Sequence, residues 1–540
     1  MVAITGMERT VKTATRACVA LALGLANATA ATPTLARTAA PSATVRTVAI
    51  DAAATTGPID PFWDLSVGSD FPGTLIRPDS QAQLQVASDE LGFRYIRFHD
   101  IFHDTLGTVK DVDGKIVYDW SGIDRLYDAL LARNIRPFVE LGWTPAAMRT
   151  SDLQLFYWKG NTSHPQADKW RDLVHAFVTH LRQRYGAAEV RRWYFELWNE
   201  PNLDGFWEGA DRDAYFALYG DTARTIKAID PALRVGGPAT AGAAWVPEFL
   251  SYAQANGLPV DFVATHSYGV EGGFLDEEGK QDTKLSARPD AVISDVLDVR
   301  AQIEASAYPG IPLFFTEWST SYTPRDFVHD SYISAPYILS RLKGTQGAVE
   351  GMSYWAYTDL FEEPGPPPTP FHGGFGLMNK DGIRKPAWFT YKYLHALRGD
   401  ALDVSDAQTF AAREGKRVAA VIWDWQQPEQ TLSNKPFYTR LVPATKSRTV
   451  DLRLTNLQPG TYRLQMHRTG YRHNDPLSAY IDMGMPERLN ADQQALLEAE
   501  TADRPESDRV VSVARDGTLS VPIAMRSNDI ALVTLEPYTN

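Results

Sequence analysis

The chain predicts an α/β fold: a (β/α)8 barrel, of the TIM type, with a C-terminal antiparallel β-sandwich. Three observations carry that expectation. Between residues 60 and 398, short apolar runs alternate eight times with amphipathic stretches, the order a ring of parallel strands and outer helices requires. Beyond residue 398, short runs are separated by turn residues and read as the strands of a sandwich. Two barrel runs also lead into acidic peptides, Trp198-Asn199-Glu200-Pro201 and Thr316-Glu317-Trp318. A carboxylate at the end of a buried strand is costly unless it pairs or works.

Composition narrows the function classes. The 540 residues are 44% hydrophobic and 11% aromatic, enough for a large core, so global disorder is excluded. A net charge of −13 argues against a nucleic-acid partner, which needs a basic face. Arg9, Lys12 and Arg16 precede an apolar stretch over 17–26, and Ala28-Thr29-Ala30 fits a small-x-small cleavage site. Residues 1–30 therefore read as an export signal, with a secreted or periplasmic product. The single cysteine, Cys18, lies inside it, so neither disulfides nor thiol chemistry are expected. No other segment has 18 uninterrupted apolar residues, so no membrane contact is expected after processing.

Taken in order, residues 31–45 are an Ala/Thr/Pro-rich lead-in, and 46–59 hold a strand that joins the sandwich. The barrel occupies 60–398, with strand candidates at 62–67, 93–98, 135–141, 193–198, 233–236, 261–266, 313–316 and 352–357. Ser121-Gly122-Ile123-Asp124 has capping-box spacing ahead of Leu126, Tyr127, Leu130 and Leu131. After Pro165, Trp170, Leu173, Val174, Phe177, Leu181 and Tyr185 recur at helical spacing and predict core packing. Two long loops, 270–288 and 359–377, follow the sixth and eighth runs and so belong to the catalytic face of a barrel. The helical pattern then stops, and 399–540 is read as the sandwich.

Several acids compete for a role. Glu196 has the strand parity of Glu200 but lies deeper, as a structural acid; Glu140 ends the third run and supports the site from behind; Asp261 begins its strand, at the stabilising bottom face. Glu200 and Glu317 alone join a top-end position to a break in the strand. If such carboxylates stand ~5–5.5 Å apart, one acts as nucleophile and the other as acid, with retention; at ~6.5–9.5 Å a water fits between them and the reaction inverts. Asn199 is placed to donate to a sugar 2-hydroxyl. A metal site built from His99, His103, His266 and His372 is the weaker reading, because the His99/His103 pair lies where a strand becomes a loop. Asp111-Val112-Asp113-Gly114 resembles the start of a calcium loop, but an Asp-Gly hairpin is simpler. Asn161-Thr162-Ser163 is a glycosylation sequon. Trp143, Trp198, Trp318, Tyr268, Tyr322, Trp355, Phe371 and Phe375 cluster near the expected mouth, where aromatic planes suit the C–H faces of sugar rings.

Together with Arg94-Tyr95-Ile96-Arg97-Phe98-His99, His266-Ser267-Tyr268, Phe361-Glu362-Glu363 and Phe371-His372-Gly373-Gly374-Phe375-Gly376-Leu377, these peptides resemble glycoside hydrolase family 39, most closely its β-xylosidases. The resemblance implies Glu200 as acid/base and Glu317 as nucleophile of a retaining mechanism. It implies a terminal-sugar subsite of His99, Asn199, His266, Tyr268, Tyr322, Trp355, Glu362 and Glu363, with Tyr268 and Tyr322 near the nucleophile and no metal or cofactor. One departure, Trp318-Ser319 where many relatives carry Phe-Asn, is expected to reshape the pocket. The family also holds α-L-iduronidases, whose acidic sugar fits poorly beside Glu362-Glu363. The expected activity is release of xylose from β-xylosides and short xylo-oligosaccharides. Another β-linked sugar, such as a glucoside or galactoside, is the alternative, and a non-catalytic carbohydrate-binding barrel a more distant one.

Overall fold

Eight short parallel strands close a barrel: β1 (Ser66–Gly68), β2 (Tyr95–Arg97), β3 (Arg136–Leu141), β4 (Tyr194–Leu197), β5 (Arg234–Thr240), β6 (Phe262–Tyr268), β7 (Leu313–Ser319) and β8 (Gly351–Tyr354). They follow one another around the ring in chain order, and every pairing is parallel. The computed structural model describes residues 45–538. The expected export signal, with Cys18, and the lead-in as far as residue 44 lie outside the described residues. No helix among the described residues is long and apolar enough to cross a membrane.

Because side chains alternate along a strand, inward residues stack in layers. The lower layer is aromatic. Tyr95, Phe138, Tyr194, Phe262 and Phe314 pack with Leu65 and Ala264, with Phe138 stacked on Tyr194 at 4.8 Å and Tyr194 edge-on to Phe314 at 4.9 Å. Two positions further along the same strands stand Arg97, Glu140, Glu196 and Thr316, all buried. β7 differs from the expected run: it continues through Ser319, so Glu317 lies within the strand and not beyond its end. A bulge presents it instead. His266 of β6 pairs with Glu317 where regular register would bring Thr316, so adjacent residues Thr316 and Glu317 both reach into the barrel.

The sandwich forms from a three-stranded sheet, Arg46–Asp51, Lys446–Thr455 and Leu519–Arg526, and a seven-stranded sheet ending in Ile530–Pro537, Gly460–Thr469 and Ser507–Val513. Val48, Ile50, Leu452 and Ile523 of the first meet Val418, Ala420, Leu464 and Val533 of the second. Its seam with the barrel is aromatic, Trp63 lying 5.6 Å from Phe410.

Four expectations change. Of residues 62–67, Phe62–Asp64 form a 3₁₀ turn and only Ser66 and Val67 belong to β1; a short, largely apolar run carries no periodicity to separate turn from strand. Ser121 does not cap its helix: Asp119 Oδ1 accepts from the Ser121 backbone N–H and hydroxyl. The sandwich is not purely antiparallel, since Arg46–Asp51 runs parallel to Lys446–Thr455. Helices also recur after residue 398, at Asn434–Tyr438, Pro476–Asp482 and Ala491–Glu500. The last buries little beyond Leu497, so it has no apolar stripe to read, although Asn490 and Gln493 form a true capping box.

Other readings stand as expected. Trp170, Leu173, Val174, Phe177 and Leu181 of helix Ala167–Tyr185 are buried. Asp111–Gly114 turns a hairpin between Val109–Val112 and Lys115–Tyr118, with Asp113 and Gly114 both at positive φ. Asn161 of the sequon is buried, its amide bonded to Ser151 and Ser163. Asp261 sits at the bottom, accepting from the Val235 N–H and Lys227.

Candidate active site

Arg97 organises the top of the barrel. The fully buried guanidinium donates to Glu196 through Nε, to Glu317 Oε1 at 2.6 Å through Nη1 and to Asn199 Oδ1 at 2.9 Å through Nη2, which also stands 3.0 Å from Glu140 Oε2. Burial alone would lower its proton affinity, but Glu196, Glu140 and Glu317 raise it, so the charge is permanent. Glu196 is the structural acid expected of it: Arg97 and Thr316 consume both its oxygens. Glu140 supports from behind, holding His99 Nδ1 at 2.8 Å. Burial disfavours a charged His99, yet the Glu140, Glu363 and Glu317 carboxylates together outweigh it and lift the imidazole well above its ordinary range.

The two candidate catalytic acids share this rim. After β4, the chain enters left-handed conformation at Trp198 (φ 66°) and Glu200 (φ 46°), an uncommon backbone for bulky side chains that recurs at functional sites. The Glu200 N–H is tied to Ala239 O at 2.8 Å. Glu200 Oε1 lies 2.9 Å from His266 Nδ1, and Tyr268 Oη donates to Glu317 Oε2 at 2.7 Å. An oxygen of Glu200, a nitrogen of His266 and an oxygen of Glu317 all fall within 4.8 Å of one another. Burial pushes the Glu200 carboxyl up to about 7, with His99 and Arg97 pulling the other way. Burial also drives His266 down to about 3, leaving it neutral between the acids.

The trio Glu200–His266–Glu317 is compact enough to hold a cation, but Glu317 already accepts from the Arg97 guanidinium and from Tyr268. A second cation there would face that fixed positive charge. The four-histidine metal site does not assemble: His103 bonds to Trp158 O and His372 to Thr369 O, and neither joins this donor group.

An inner pocket of about 60 Å³ is lined by His99, Asn199, Glu200, Tyr268, Glu317, Tyr322, Trp355 and Glu363, with Phe156, Phe206 and Phe375. With His266 behind Glu200, nine of the ten predicted residues are brought together. Glu362 is not: its carboxylate pairs with Arg77 at 2.7 Å, outside the pocket lining. Tyr322 lines the rim, half exposed and 6.3 Å from the Tyr268 ring, without a hydrogen bond to Glu317. Glu363 stands 3.3 Å from His99 Nε2, its carboxyl lifted to about 7 by burial against the pull of that imidazole.

Of the predicted aromatic cluster, Tyr268, Tyr322, Trp355 and Phe375 line the pocket. Trp143 backs His99 at 5.8 Å, while Trp198 and Trp318 belong to the main core and Phe371 packs on Tyr480. The Trp318-Ser319 departure therefore does not reshape the pocket: the indole is in the core and Ser319 Oγ donates to Ser321 O. Gly68 admits Trp355, since a β-carbon there would stand 2.2 Å from the indole.

The eighth loop is held by a buried ion cluster. Lys385 Nζ reaches Asp330 Oδ1 at 2.7 Å, Asp359 Oδ2 at 3.0 Å and Gly374 O at 2.7 Å. Asp330 and Asp359 accept from the Gly373 and Gly376 N–H groups, and a β-carbon at Gly374 or Gly376 would collide with Asp359. The repeated glycines of this segment are thus a packing requirement. Asp70, at the end of β1, accepts from the Glu362 N–H and the Trp158 indole, tying this loop to the one after β3.

Sequence reasoning missed Arg97, Asp70, Phe156 and Phe206 as site residues. Arg97 had a signal: a cation inside an apolar strand run, at the same parity as His99. Phe156 and Phe206 arrive from long loops and had none.

The comparisons agree with this architecture. The family model for glycosyl hydrolases family 39 matches residues 46–520. A β-xylosidase of Geobacillus stearothermophilus is 40% identical over 372 residues, 67% of this chain and 73% of that protein. Among solved structures, the GH39 enzyme from Xanthomonas axonopodis pv. citri is 67% identical with a TM-score of 0.92, covering 93% of this chain and 100% of that one. A monomeric β-xylosidase from Caulobacter crescentus CB15 is 64% identical with a TM-score of 0.90, covering 92% and 100%. On these grounds, and on a barrel whose rim carries the expected acids, the chain belongs to glycoside hydrolase family 39.

Proposed function

We propose that the protein is a retaining, exo-acting β-xylosidase, with Glu317 as nucleophile and Glu200 as acid/base. The observation that carries this reading is the close approach of the two carboxylates, with oxygens within 4.8 Å and His266 between them. That spacing belongs with the ~5–5.5 Å class that forms a glycosyl-enzyme, not with the wider class that lodges a water. Glu317, oriented by Arg97 and Tyr268, attacks the anomeric carbon and the glycosidic bond breaks. Glu200, carrying a proton at neutral pH because burial lifts it to about 7, gives that proton to the leaving oxygen. In the second half, ionised Glu200 takes a proton from water, which displaces Glu317 and releases the sugar with its configuration kept.

Exo action is supported by the small size of the inner pocket, about 60 Å³, whose lining includes Phe156, Phe375 and Glu363. Asn199 Oδ1 accepts from Arg97 and Asn199 lines the pocket, which supports its amide N–H groups as donors to a 2-hydroxyl. Xylose as the sugar is supported by the β-xylosidases among the relatives. The residues 1–30 pattern supports export, checked by N-terminal sequencing of the protein recovered outside the cytoplasm. The central test is turnover against a panel of 4-nitrophenyl glycosides. The β-xyloside should give the highest kcat/KM; preference for the β-glucoside or β-galactoside would move the assignment to that sugar.

A further inference from the structure

His329 is a buried histidine that the reaction steps leave unused, in the 3₁₀ turn Phe327–His329 after β7. Each of its ring nitrogens faces a backbone carbonyl. Nδ1 stands 2.9 Å from Gly373 O, in the eighth loop, and Nε2 stands 3.0 Å from Ser321 O, in the seventh. We propose that His329 is a positioning residue for the sugar pocket, an imidazole hydrogenated at both nitrogens that ties together the loops presenting Tyr322 and Phe375. The inference rests on the glycosidase reading above and adds a residue that touches no substrate.

Hydrogen-bond chemistry carries the first half. A carbonyl oxygen only accepts, and a neutral imidazole has one N–H. A ring with one hydrogen would press a bare nitrogen lone pair against a carbonyl lone pair, where neither can turn to water. The Ser319 hydroxyl does not relieve that clash: it lies 3.5 Å from Nε2 and is spent on Ser321 O at 2.9 Å. Both ring hydrogens are therefore assigned from the partners they meet.

Charge balance gives the same answer independently. Asp330 and Asp359 are buried beside the turn and share the Lys385 ammonium. Two carboxylates against one cation leave a negative charge uncompensated away from water, which is costly. Burial raises the Asp359 carboxyl, while Lys385, the Gly376 N–H and His329 favour its ionised form. The other titratable groups facing the turn do not close the balance. His372 is neutral, burial driving it down to about 4. Asp326 adds a further carboxylate, held by Thr283, Asn434 and the Val328 N–H. Arg325 is exposed and donates to Pro364 O.

Both ties reach the pocket. Ser321 precedes Tyr322, Gly373 lies just before Phe375, and both aromatic side chains line the sugar pocket. The His329 ring also packs against the Phe375 ring at 5.1 Å. One side chain thus sets the separation of two pocket walls that belong to different loops.

The experiment measures KM and kcat in variants that each keep one tie. An Asn amide nitrogen falls near the position of Nδ1, and a Gln amide nitrogen near that of Nε2. His329→Asn therefore keeps the bond to Gly373, and His329→Gln the bond to Ser321. Each should raise KM for the best 4-nitrophenyl glycoside about tenfold, the worth of one buried hydrogen bond. The kcat should stay within about twofold of wild type, since the two acids are untouched. A purely structural role would lower the active fraction, and so kcat, at unchanged KM; that result overturns the positioning role. Histidine-selective nitrogen-15 NMR reads the ring itself, at about pH 8, where an ordinary histidine has lost its second hydrogen. Besides His99, one further imidazole should carry hydrogen on both nitrogens, and its signals should vanish in His329→Gln. A single N–H on that ring overturns the assignment. Failure to turn over any glycoside of the panel, with the doubly hydrogenated ring present, would sink the glycosidase reading instead.

Discussion

The two inward layers of the barrel come from the same strands, two residues apart, yet they are built on opposite principles. Phe138 and Glu140 share β3; Tyr194 and Glu196 share β4; Phe314 and Thr316 share β7. The lower residues interlock as aromatic rings, with no charge to satisfy. Of the upper ones, Glu140 and Glu196 are held, together with Glu317, by one guanidinium, and Thr316 donates to Glu196. Buried ion pairs contribute little net stability because each charge must leave water. The lower layer therefore holds the barrel closed, and the upper layer spends part of that stability on a fixed field where a sugar binds.

Substitutions should separate the layers. Glu317→Ala should show the largest loss, more than about 10⁴-fold in kcat, because no other group can form the covalent intermediate. Added azide should restore turnover, while the thermal midpoint stays near that of wild type. Glu200→Ala should cost ~10²–10⁴-fold for substrates with poor leaving groups and far less for activated phenols. An equal loss with both kinds of leaving group would remove Glu200 from the acid role. Phe314→Ala should reverse the pattern, costing about 3–5 kcal/mol of stability through an unfilled cavity while the folded fraction keeps its kcat.

Gly68→Ala should cost a further, smaller amount. Its methyl group meets Trp355 at the pocket wall, and overpacking of this kind is worth about 1–3 kcal/mol, read here as a rise in KM. The smallest effect is a pH limb. Because burial raises Glu200, its acid form persists up to about 7 and is lost above it. The rate for poor leaving groups should fall as pH rises through that value, by about tenfold per unit well above it. The limb should be absent in Glu200→Gln. A limb that survives that substitution would belong to another group.

Much of this was legible before any coordinates. The eight runs, the helix after Pro165 and the top-face acids follow from periodicity and from the cost of a charge at a strand end. What stayed hidden depended on contacts distant in the chain. Arg97 and Glu317 are 220 residues apart, and nothing local to either one announces the other. The bulge at Thr316 is equally silent, since an extra residue in a strand leaves the apolar pattern almost unchanged. Glu362 and Glu363 show the converse limit. Adjacent and identical in type, they turn to Arg77 and to His99, and only the fold of the loop separates the two.

The central claim is that Glu317 and Glu200 act from opposite sides of one glycosidic bond through a covalent intermediate. Proton NMR of the first sugar released from 4-nitrophenyl β-xyloside, recorded before mutarotation, tests it directly. The β-anomer appearing first is the result expected. First appearance of the α-anomer would mean a single displacement by water, and the short carboxylate spacing would have been misread.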